Sequence, residues 1–262
     1  MIRKIARVFR EEGLSGIFSR ARFKILRTLR PRVVRSAYGL RLRANWDDST
    51  FLFYLKGSYG QHLSSFLKEH AGEFVFLDIG ANQGLYSMLA SGNPACRAVI
   101  AFEPIPETAA LLRENLGLNR CASVTLREEA ISDRTGVHEV QLDPRHTGSV
   151  SLHHGVDGRR DSRTLSIRTI DHDVLDAIEI PGECPILVKI DVEGLEEIVI
   201  RELMASRHFN RVTDIYYEVD EQWLDAARVQ SLLEESGFTS MDRIGSGTHY
   251  DVHASGRPPT IA

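Results

Sequence analysis

The stretch "FVFLDIGANQGLYSMLA", residues 74–90, carries the pattern that decides the fold. Large apolar residues run as far as Asp78, two glycines follow at Gly80 and Gly84, and apolar residues then return at helical spacing. This order predicts a buried strand, a tight turn and a helix, because glycine permits turns and close backbone approach. We therefore expect a loop at the carboxyl end of a strand, which is where open parallel sheets bind ligands.

Further apolar runs alternate with helical patterns along the chain. Strands are predicted at 73–80, 97–104, 122–130, 185–194 and 212–219, and helices at 84–92, 106–119, 194–206 and 221–236. Strands separated by helices of this length are typical of an α/β fold with a mostly parallel sheet and helices on both faces. The segment after the last helix alternates around Gly245 and Gly247, which predicts a C-terminal antiparallel hairpin.

The predicted organisation is a basic helical arm at 1–45, a catalytic domain at 46–255 and a short tail at 256–262. Inside the domain, about 137–170, two strand-like segments flank a polar loop rich in Gly, Ser and Arg. This interval predicts an inserted hairpin, placed where substrate loops usually lie.

Charge is distributed unevenly along the 262 residues, whose net charge is −4. Residues 1–43 hold 13 of the 32 Lys and Arg but only 2 of the 36 Asp and Glu. Apolar residues recur there at helical spacing, which fits either a helix lying on an anionic membrane surface or an arm packed on its own domain. The acidic remainder argues against nucleic acid as a partner.

Localisation follows from what the composition lacks. The sequence has no apolar run long enough to span a bilayer, and its three cysteines show no C-x-x-C spacing. We expect a cytoplasmic protein, in contact with the inner membrane surface if the basic arm binds lipid and free of it if the arm packs on the domain.

The glycine loop, which contains Gly80, Ala81, Asn82 and Gly84, favours S-adenosylmethionine over a dinucleotide. Dinucleotide sites use G-x-G-x-x-G, whereas the spacing here is G-x-x-x-G. A carboxylate at Asp78 would repel a pyrophosphate but suit the amino group of a methionine moiety.

The ends of the next two predicted strands add acids to the same edge. Glu103, in "AFEP" with Pro104, is placed to accept hydrogen bonds from both ribose hydroxyls of such a cofactor. Glu129 and Ala130 lie at the end of the third predicted strand, where an adenine ring is usually held, and Glu129 could accept a hydrogen bond from the adenine amino group.

Four segments together resemble the FkbM-type methyltransferases. They are "DIGANQGLYS" (78–87), "AFEPIPETAALLRENLGLN" (101–119), "EAISDRTG" (129–136) and "VKIDVEGLEEIVI" (188–200). The resemblance implies a Rossmann-like class I fold with a seven-stranded sheet, S-adenosylmethionine as methyl donor, and O-methylation of sugars, polysaccharides or polyketide-type hydroxyls. It also implies that Asp191 and Glu193 face the substrate and that Lys189 occupies the usual lysine position of the family.

The motif "KIDVEG" holds the candidate catalytic residues. Asp191 is the first candidate to orient the acceptor hydroxyl and accept its proton, and Glu193 is the second, although either could instead cap the following helix. Lys189 could pair with these acids, meet an anionic substrate or make a structural salt bridge. No metal ligand is expected, although Asp191, Glu193 and Glu218 raise Mg²⁺ as an alternative.

Two other functions remain open from the sequence. One is a non-catalytic module that keeps a nucleotide-binding fold, and the other is an NAD(P)-dependent oxidoreductase. The predicted function is S-adenosylmethionine-dependent O-methylation of a small-molecule or glycan acceptor.

Overall fold

The computed structural model describes residues 21–142, 150–151 and 163–259. Its helices are α1 Ser49–Lys56, α2 Gln61–Glu69, α3 Leu85–Ser91, α4 Pro106–Asn119, α5 His172–Asp176, α6 Glu196–Ala205 and α7 Ala226–Glu235, with a 3₁₀ turn at Arg207–Arg211 and a helical segment at 21–29. Its strands are β1 Val33–Arg35, β2 Arg41–Arg43, β3 Phe74–Ile79, β4 Cys96–Phe102, β5 Val124–Arg127, β6 Ala130–Ile131, β7 Gly136–Leu142, β8 Val150–Ser151, β9 Arg163–Ile170, β10 Ile186–Ile190, β11 Val212–Asp220, β12 Ser240–Ile244 and β13 His249–Ser255.

The chain forms two compact units, the first ending at Tyr59 and the second beginning at Gly60. In the first, β1 and β2 pair antiparallel, and α1 begins where the Asp48 carboxylate accepts a hydrogen bond from the Phe51 N–H at 2.8 Å. The helix ends at Gly57, whose φ of 72° is the left-handed conformation that commonly closes helices. Residues 1–20, the first part of the basic arm predicted at 1–45, lie outside the described residues.

The second unit is built on a seven-stranded sheet in the order β12-β13-β11-β10-β3-β4-β5. The strands from β11 to β5 are parallel, and the β12–β13 hairpin adds antiparallel to β11. The predicted α/β fold with a mostly parallel seven-stranded sheet and a C-terminal antiparallel hairpin is therefore confirmed. Every residue of β3 and of β10 is buried, as expected for central parallel strands covered on both sides.

Crossover connections leave the middle of this sheet in opposite directions. From β3 the chain passes through α3 and α4 toward β5, whereas from β10 it passes through α6 toward β11. Because crossovers between parallel strands are right-handed, opposite directions place the two sets of helices on opposite faces. The direction changes between β3 and β10, so their carboxyl ends border the crevice that such sheets use for ligands.

A smaller sheet, in the order β6-β9-β7-β8, occupies the interval where an inserted hairpin is predicted. Its strands β7 and β9 pair antiparallel from Gly136↔Thr169 to Leu142↔Arg163. The polar loop between them, 143–149 and 152–162, lies outside the described residues.

The strand predicted at 122–130 is shorter than expected. β5 ends at Arg127, and Ala130–Ile131 pairs with β9 in the smaller sheet instead. The chain can leave here because β5 is the edge of the large sheet, whereas β9 supplies new backbone partners. Within the described ranges, no helix is long and apolar enough to cross a membrane.

Candidate active site

The glycine loop after β3 has a backbone that glycine alone adopts easily. Gly80 and Gly84 have φ values of 75° and 87°, and Asn82 between them is at 49°. A Cβ on Gly80 would lie 1.9 Å from the carbonyl oxygen of Asp191, and one on Gly84 would lie 2.0 Å from Cδ1 of Leu112. These glycines are thus required by close packing of the protein on itself, in addition to any approach of a ligand.

Glu103 joins the glycine loop to the end of β4. One carboxylate oxygen accepts the N–H of Asn82 at 2.8 Å, and the other accepts the N–H of Ile105 at 3.0 Å. Burial raises the pKa of Glu103 to about 7, although these backbone N–H groups act in the opposite direction. Each carboxylate oxygen has a second lone pair, so the pair of acceptors predicted for ribose hydroxyls is retained. Pro104 follows directly, half-buried at the same strand end.

Asp78 lies beneath the glycine loop and is fully buried. One of its carboxylate oxygens accepts the Ser87 hydroxyl at 2.5 Å, and the other lies 3.7 Å from Nζ of Lys189. Burial raises the pKa of Asp78, and the charge of Lys189 opposes that rise. The negative charge of Asp78 therefore has a cation within the protein, and its predicted attraction for an amino group of the ligand stays a prediction.

Lys189 is 5% exposed and anchors the loop from below. Its ammonium group donates to the carbonyl of Gly80 at 2.5 Å and lies 3.4 Å from the Asp191 carboxylate. Burial lowers the pKa of Lys189, but the charges of Asp191 and Asp78 outweigh burial and leave the pKa raised. Of the three roles considered for this lysine, the geometry supports pairing with the acids.

Glu129 lies between two arginines at the end of β5. It accepts a hydrogen bond from Nε of Arg127 at 2.7 Å, and the Arg168 guanidinium is 3.4 Å from its other oxygen. These groups line a cavity of about 470 Å³ together with Pro104. Ala130 pairs with Thr169 in the smaller sheet. Contact of Glu129 and Ala130 with an adenine ring stays a prediction.

The turn after β10 separates the two acids of "KIDVEG". β10 ends at Ile190, so Asp191 continues the strand direction, whereas Glu193 lies in the turn with a φ of 55°. Partial desolvation of its carboxylate and the charges of Asp191 and Glu196 raise the pKa of Glu193 to about 7, although the residue as a whole is exposed. The two side chains therefore do not share the alternation of a strand.

Glu196 is the acid in this turn that sequence reasoning missed. Its Oε1 atom accepts the N–H of Val192 at 3.1 Å and of Gly194 at 3.2 Å. Helix α6 begins at Glu196 and has Leu195 as its N-cap residue with no side-chain cap hydrogen bond, so neither Asp191 nor Glu193 caps this helix. The spacing G-x-E at the start of a helical pattern was the available signal, because an acid in the first turn suits free N–H groups.

A row of carboxylates crosses the carboxyl edge from β10 to β13. Ile190 pairs with Tyr217, so Asp191 and Glu218 are the next neighbours, and Glu218 pairs with Asp251. Burial, with the charges of Asp191 and Glu193, raises the pKa of Glu218 to about 9. The pKa of Asp251 is raised to about 6, chiefly by burial.

His249 meets the outer end of this row. Its Nε2 lies 3.0 Å from Glu218 and its Nδ1 lies 3.7 Å from Asp220. Asp251 and His249 were not predicted as site residues. They reach the crevice because β13 runs antiparallel, which brings its first residues to the carboxyl end of β11.

Replacing Glu218 with Gln should reduce the loss of stability as the pH rises. An ordinary glutamate has a pKa of 4.5 and folded Glu218 one of about 9, so between these values the unfolded chain releases a proton that the folded protein keeps. Folding therefore weakens as the pH rises through that window, and the Gln variant lacks this contribution. Urea unfolding at about pH 5 and about pH 8.5 measures the difference. The exposed Glu235→Gln change is the control, and an identical pH dependence in both variants would contradict the raised pKa.

Metal ligation was also considered for Asp191, Glu193 and Glu218. In the ranges that the structure describes, no three His, Cys, Asp or Glu side chains converge so as to hold a metal ion. The histidines of the polar insertion loop, His146, His153 and His154, lie outside those ranges.

Residues 78–240 match the family described as the methyltransferase FkbM domain. The chain belongs to the FkbM methyltransferase family. The match begins at Asp78 and includes the glycine loop, Glu103 and the "KIDVEG" turn, whereas His249 and Asp251 lie beyond its end. The predicted family is confirmed, and the protein is a methyltransferase.

Individual relatives of this FkbM methyltransferase are distant. The "31-O-demethyl-FK506 methyltransferase FkbM" of Streptomyces tacrolimicus is 28% identical over 210 residues, which cover 70% of this chain and 79% of that protein. "Methyltransferase 1" of Beauveria bassiana (strain ARSEF 2860) is 25% identical over 183 residues, covering 62% of this chain and 71% of that one. Among solved structures, precorrin-6y C5,15-methyltransferase from Geobacter metallireducens GS-15 is similar with a TM-score of 0.42 and 15% identity, covering 75% of this chain and 86% of that chain.

Proposed function

We propose that this FkbM methyltransferase uses S-adenosylmethionine to methylate a hydroxyl group of a sugar, a polysaccharide or another secondary metabolite. The observation that carries the proposal is the placement of Glu103, a buried carboxylate held between the glycine loop and the end of the neighbouring strand. Acids at this position bind ribose hydroxyls in nucleotide-binding α/β folds. Family membership favours methyl transfer over the oxidoreductase alternative.

The residues around the glycine loop fit the proposed donor. Oδ1 of Asn82 is buried and has no hydrogen-bond partner among the described residues, so it can accept from a donor group of a ligand. Glu103 keeps two lone pairs for a pair of hydroxyls, and the loop lacks side chains at Gly80 and Gly84. When bound, S-adenosylmethionine supplies a methyl group that is already activated, which leaves positioning and proton removal to the protein.

Asp191 is the residue to which we assign the acceptor hydroxyl. Its backbone lies against Gly80, and its carboxylate is 22% exposed and paired with Lys189. A carboxylate held in this way can accept a hydrogen bond from the hydroxyl and then its proton as the oxygen attacks. Glu193, in the turn after Asp191, is the second candidate. The name of the Streptomyces tacrolimicus relative denotes methyl transfer to 31-O-demethyl-FK506, which supports a hydroxyl acceptor.

Replacing Glu103 with Gln should weaken donor binding about 10-fold or more, because one charge-assisted acceptor becomes an amide donor. Isothermal calorimetry with S-adenosylmethionine and S-adenosylhomocysteine measures the affinity. The exposed Glu183→Gln change is the matched control and should bind both compounds as the parent protein does. Equal affinity in the Glu103 variant would remove Glu103 from the ribose site.

The overall function is tested with labelled S-adenosylmethionine and a panel of monosaccharides, glycans and polyketide macrolides. The labelled methyl group should be transferred to a hydroxyl group of the acceptor, which gives a methyl ether. Donor binding without transfer to any acceptor would support the non-catalytic alternative. Thermal stabilisation by NADH, without stabilisation by S-adenosylhomocysteine, would support the oxidoreductase alternative.

Membrane contact is proposed for the basic arm. In its described part, Ile25 and Leu29 are one helical turn apart and are 58% and 71% exposed, beside the exposed Lys24 and Arg27. An apolar strip flanked by cations fits an anionic lipid surface. Co-flotation with anionic vesicles at low salt should be lost when residues 1–35 are deleted, and full-length protein that ignores such vesicles would refute the contact.

A further inference from the structure

We propose that Glu196 is a positioning residue for methyl transfer, acting through Asp191. This inference rests on the proposed function, because it gives Glu196 the task of holding the residue that meets the acceptor. The side chain of Glu196 accepts hydrogen bonds from the backbone that follows Asp191.

The clamp is the pair of hydrogen bonds by which Glu196 holds the turn before helix α6. Helix α6 starts at Glu196, and its N-cap residue Leu195 makes no side-chain hydrogen bond. Val192 and Gly194 lie before the helix, so their N–H groups need an acceptor outside the helical hydrogen bonds. Oε1 of Glu196 supplies it for both Val192 and Gly194, at 3.1 and 3.2 Å, and the glutamate is only 2% exposed.

Glu193 is the residue between the two bonded N–H groups. Glu193 has a φ of 55°, a left-handed conformation that costs a non-glycine residue free energy of order 1–3 kcal/mol. Such a conformation persists where the surroundings determine it. Because Glu196 holds the N–H groups on both sides, it is the contact that keeps Glu193 in this conformation and turns its side chain away from the strand direction.

The clamp also limits the movement of Asp191. The N–H of Asp191 donates to the carbonyl of Ile79 at 3.1 Å, and the carbonyl of Asp191 lies against Gly80. On the side toward α6, the next bonded N–H group is that of Val192, which Glu196 accepts. Asp191 is therefore fixed by β3 on one side and by Glu196 on the other, with Lys189 beside its carboxylate.

Burying the Glu196 carboxylate near Asp191 is unfavourable, which indicates that Glu196 serves to hold the backbone and that its charge is not needed. Burial raises the pKa of Glu196, and the charge of Asp191 adds to that rise against the backbone hydrogen bonds. A glutamine would keep a carbonyl oxygen for both N–H groups without the charge. The clamp thus predicts that Gln can replace Glu at this position, whereas Ala cannot.

Hydrogen exchange tests the clamp without any substrate. The amides of Val192 and Gly194 should exchange at least 10-fold faster in Glu196→Ala than in the parent protein, and Glu196→Gln should restore most of the protection. Equal protection in the Ala variant would overturn the clamp. This result does not depend on whether the protein transfers methyl groups.

A double-mutant cycle tests the route through Asp191. With a methyl acceptor from the panel, Glu196→Ala should lower kcat roughly 10-fold or more while the Kd for S-adenosylhomocysteine stays within a few fold, and Glu196→Gln should retain the parent kcat. In an Asp191→Asn background, Glu196→Ala should cause no further loss of kcat, although its effect on unfolding should remain.

The outcomes separate the two proposals. Multiplicative losses of kcat in the double variant would overturn the role through Asp191 and leave Glu196 a residue of stability alone. A parent protein that methylates no acceptor would instead overturn the proposed function and, with it, the positioning role. Exchange protection at Val192 and Gly194 would then still report whether the clamp exists.

Discussion

Replacing Asp191 with Asn should lower turnover about 10²–10⁴-fold, the range that general-base assistance typically contributes. The amide keeps the size of the side chain but cannot take the acceptor proton, and it loses the ion pair with Lys189 at 3.4 Å. Lys189 keeps Asp78 as a partner, so the glycine loop should stay in place. Steady-state transfer of labelled methyl groups measures turnover, and calorimetry with S-adenosylhomocysteine should give a Kd within a few fold of the parent value.

The control for this experiment is Asp173→Asn, an acid in α5 whose side chain is 88% exposed. Its turnover and affinity should match those of the parent protein. A large loss of donor affinity in the Asp191 variant would place Asp191 in the donor site. Unchanged turnover would exclude it from the reaction.

Replacing Gly80 with Ala should have the largest effect on stability. The new Cβ would lie 1.9 Å from the carbonyl oxygen of Asp191, and the backbone φ of 75° disfavours any L side chain. Backbone cannot yield as a flexible side chain can, so we expect a loss of roughly 2–5 kcal/mol from overpacking and strain together. Urea unfolding measures the change, and donor binding should fall with it because the loop must move.

Gly117→Ala is the matched substitution. Gly117 lies in helix α4, and a Cβ there meets no atom within 4 Å. Alanine in a helix is favoured over glycine by about 1 kcal/mol, so this variant should be as stable as the parent protein or slightly more stable. If both glycine variants unfold at the same urea concentration, the close contact between Gly80 and Asp191 is wrong.

Much of the fold could be predicted because its strands are short apolar runs with clear ends. The predicted strands at 73–80 and 185–194 contain β3 and β10, and the helix predicted at 106–119 is α4. The early end of β5 at Arg127 was missed, because leaving an edge strand depends on a new partner, β9, that lies distant in sequence. Local patterns contain no information on such pairing.

The residues of the candidate site could likewise be predicted in part, whereas the contacts between them could not. Gly80, Asn82, Gly84, Glu103, Lys189 and Asp191 could be named from the sequence because each follows or ends a buried strand. Three contacts could not be predicted from the sequence. They are the hydrogen bonds of Glu103 to the glycine loop, the burial of Asp78 against Lys189 and the approach of Asp191 to Gly80. Each depends on the distance between two chain segments, which the order of residues does not state.

The amino-acid sequence by itself determined the family, through the resemblance of its motifs. It also determined the alternation of strands and helices and which strand ends carry acids, because these two properties reside in local composition and spacing. Only the tertiary structure decided which acids meet. The pairing of β11 with β13 sets Glu218 beside Asp251 and brings His249 to the crevice, and the turn before α6 selects Glu196 as the residue that holds Asp191. The physical reason is that hydrogen-bond register and burial arise between segments far apart in the chain, and they set both the charge and the direction of each carboxylate.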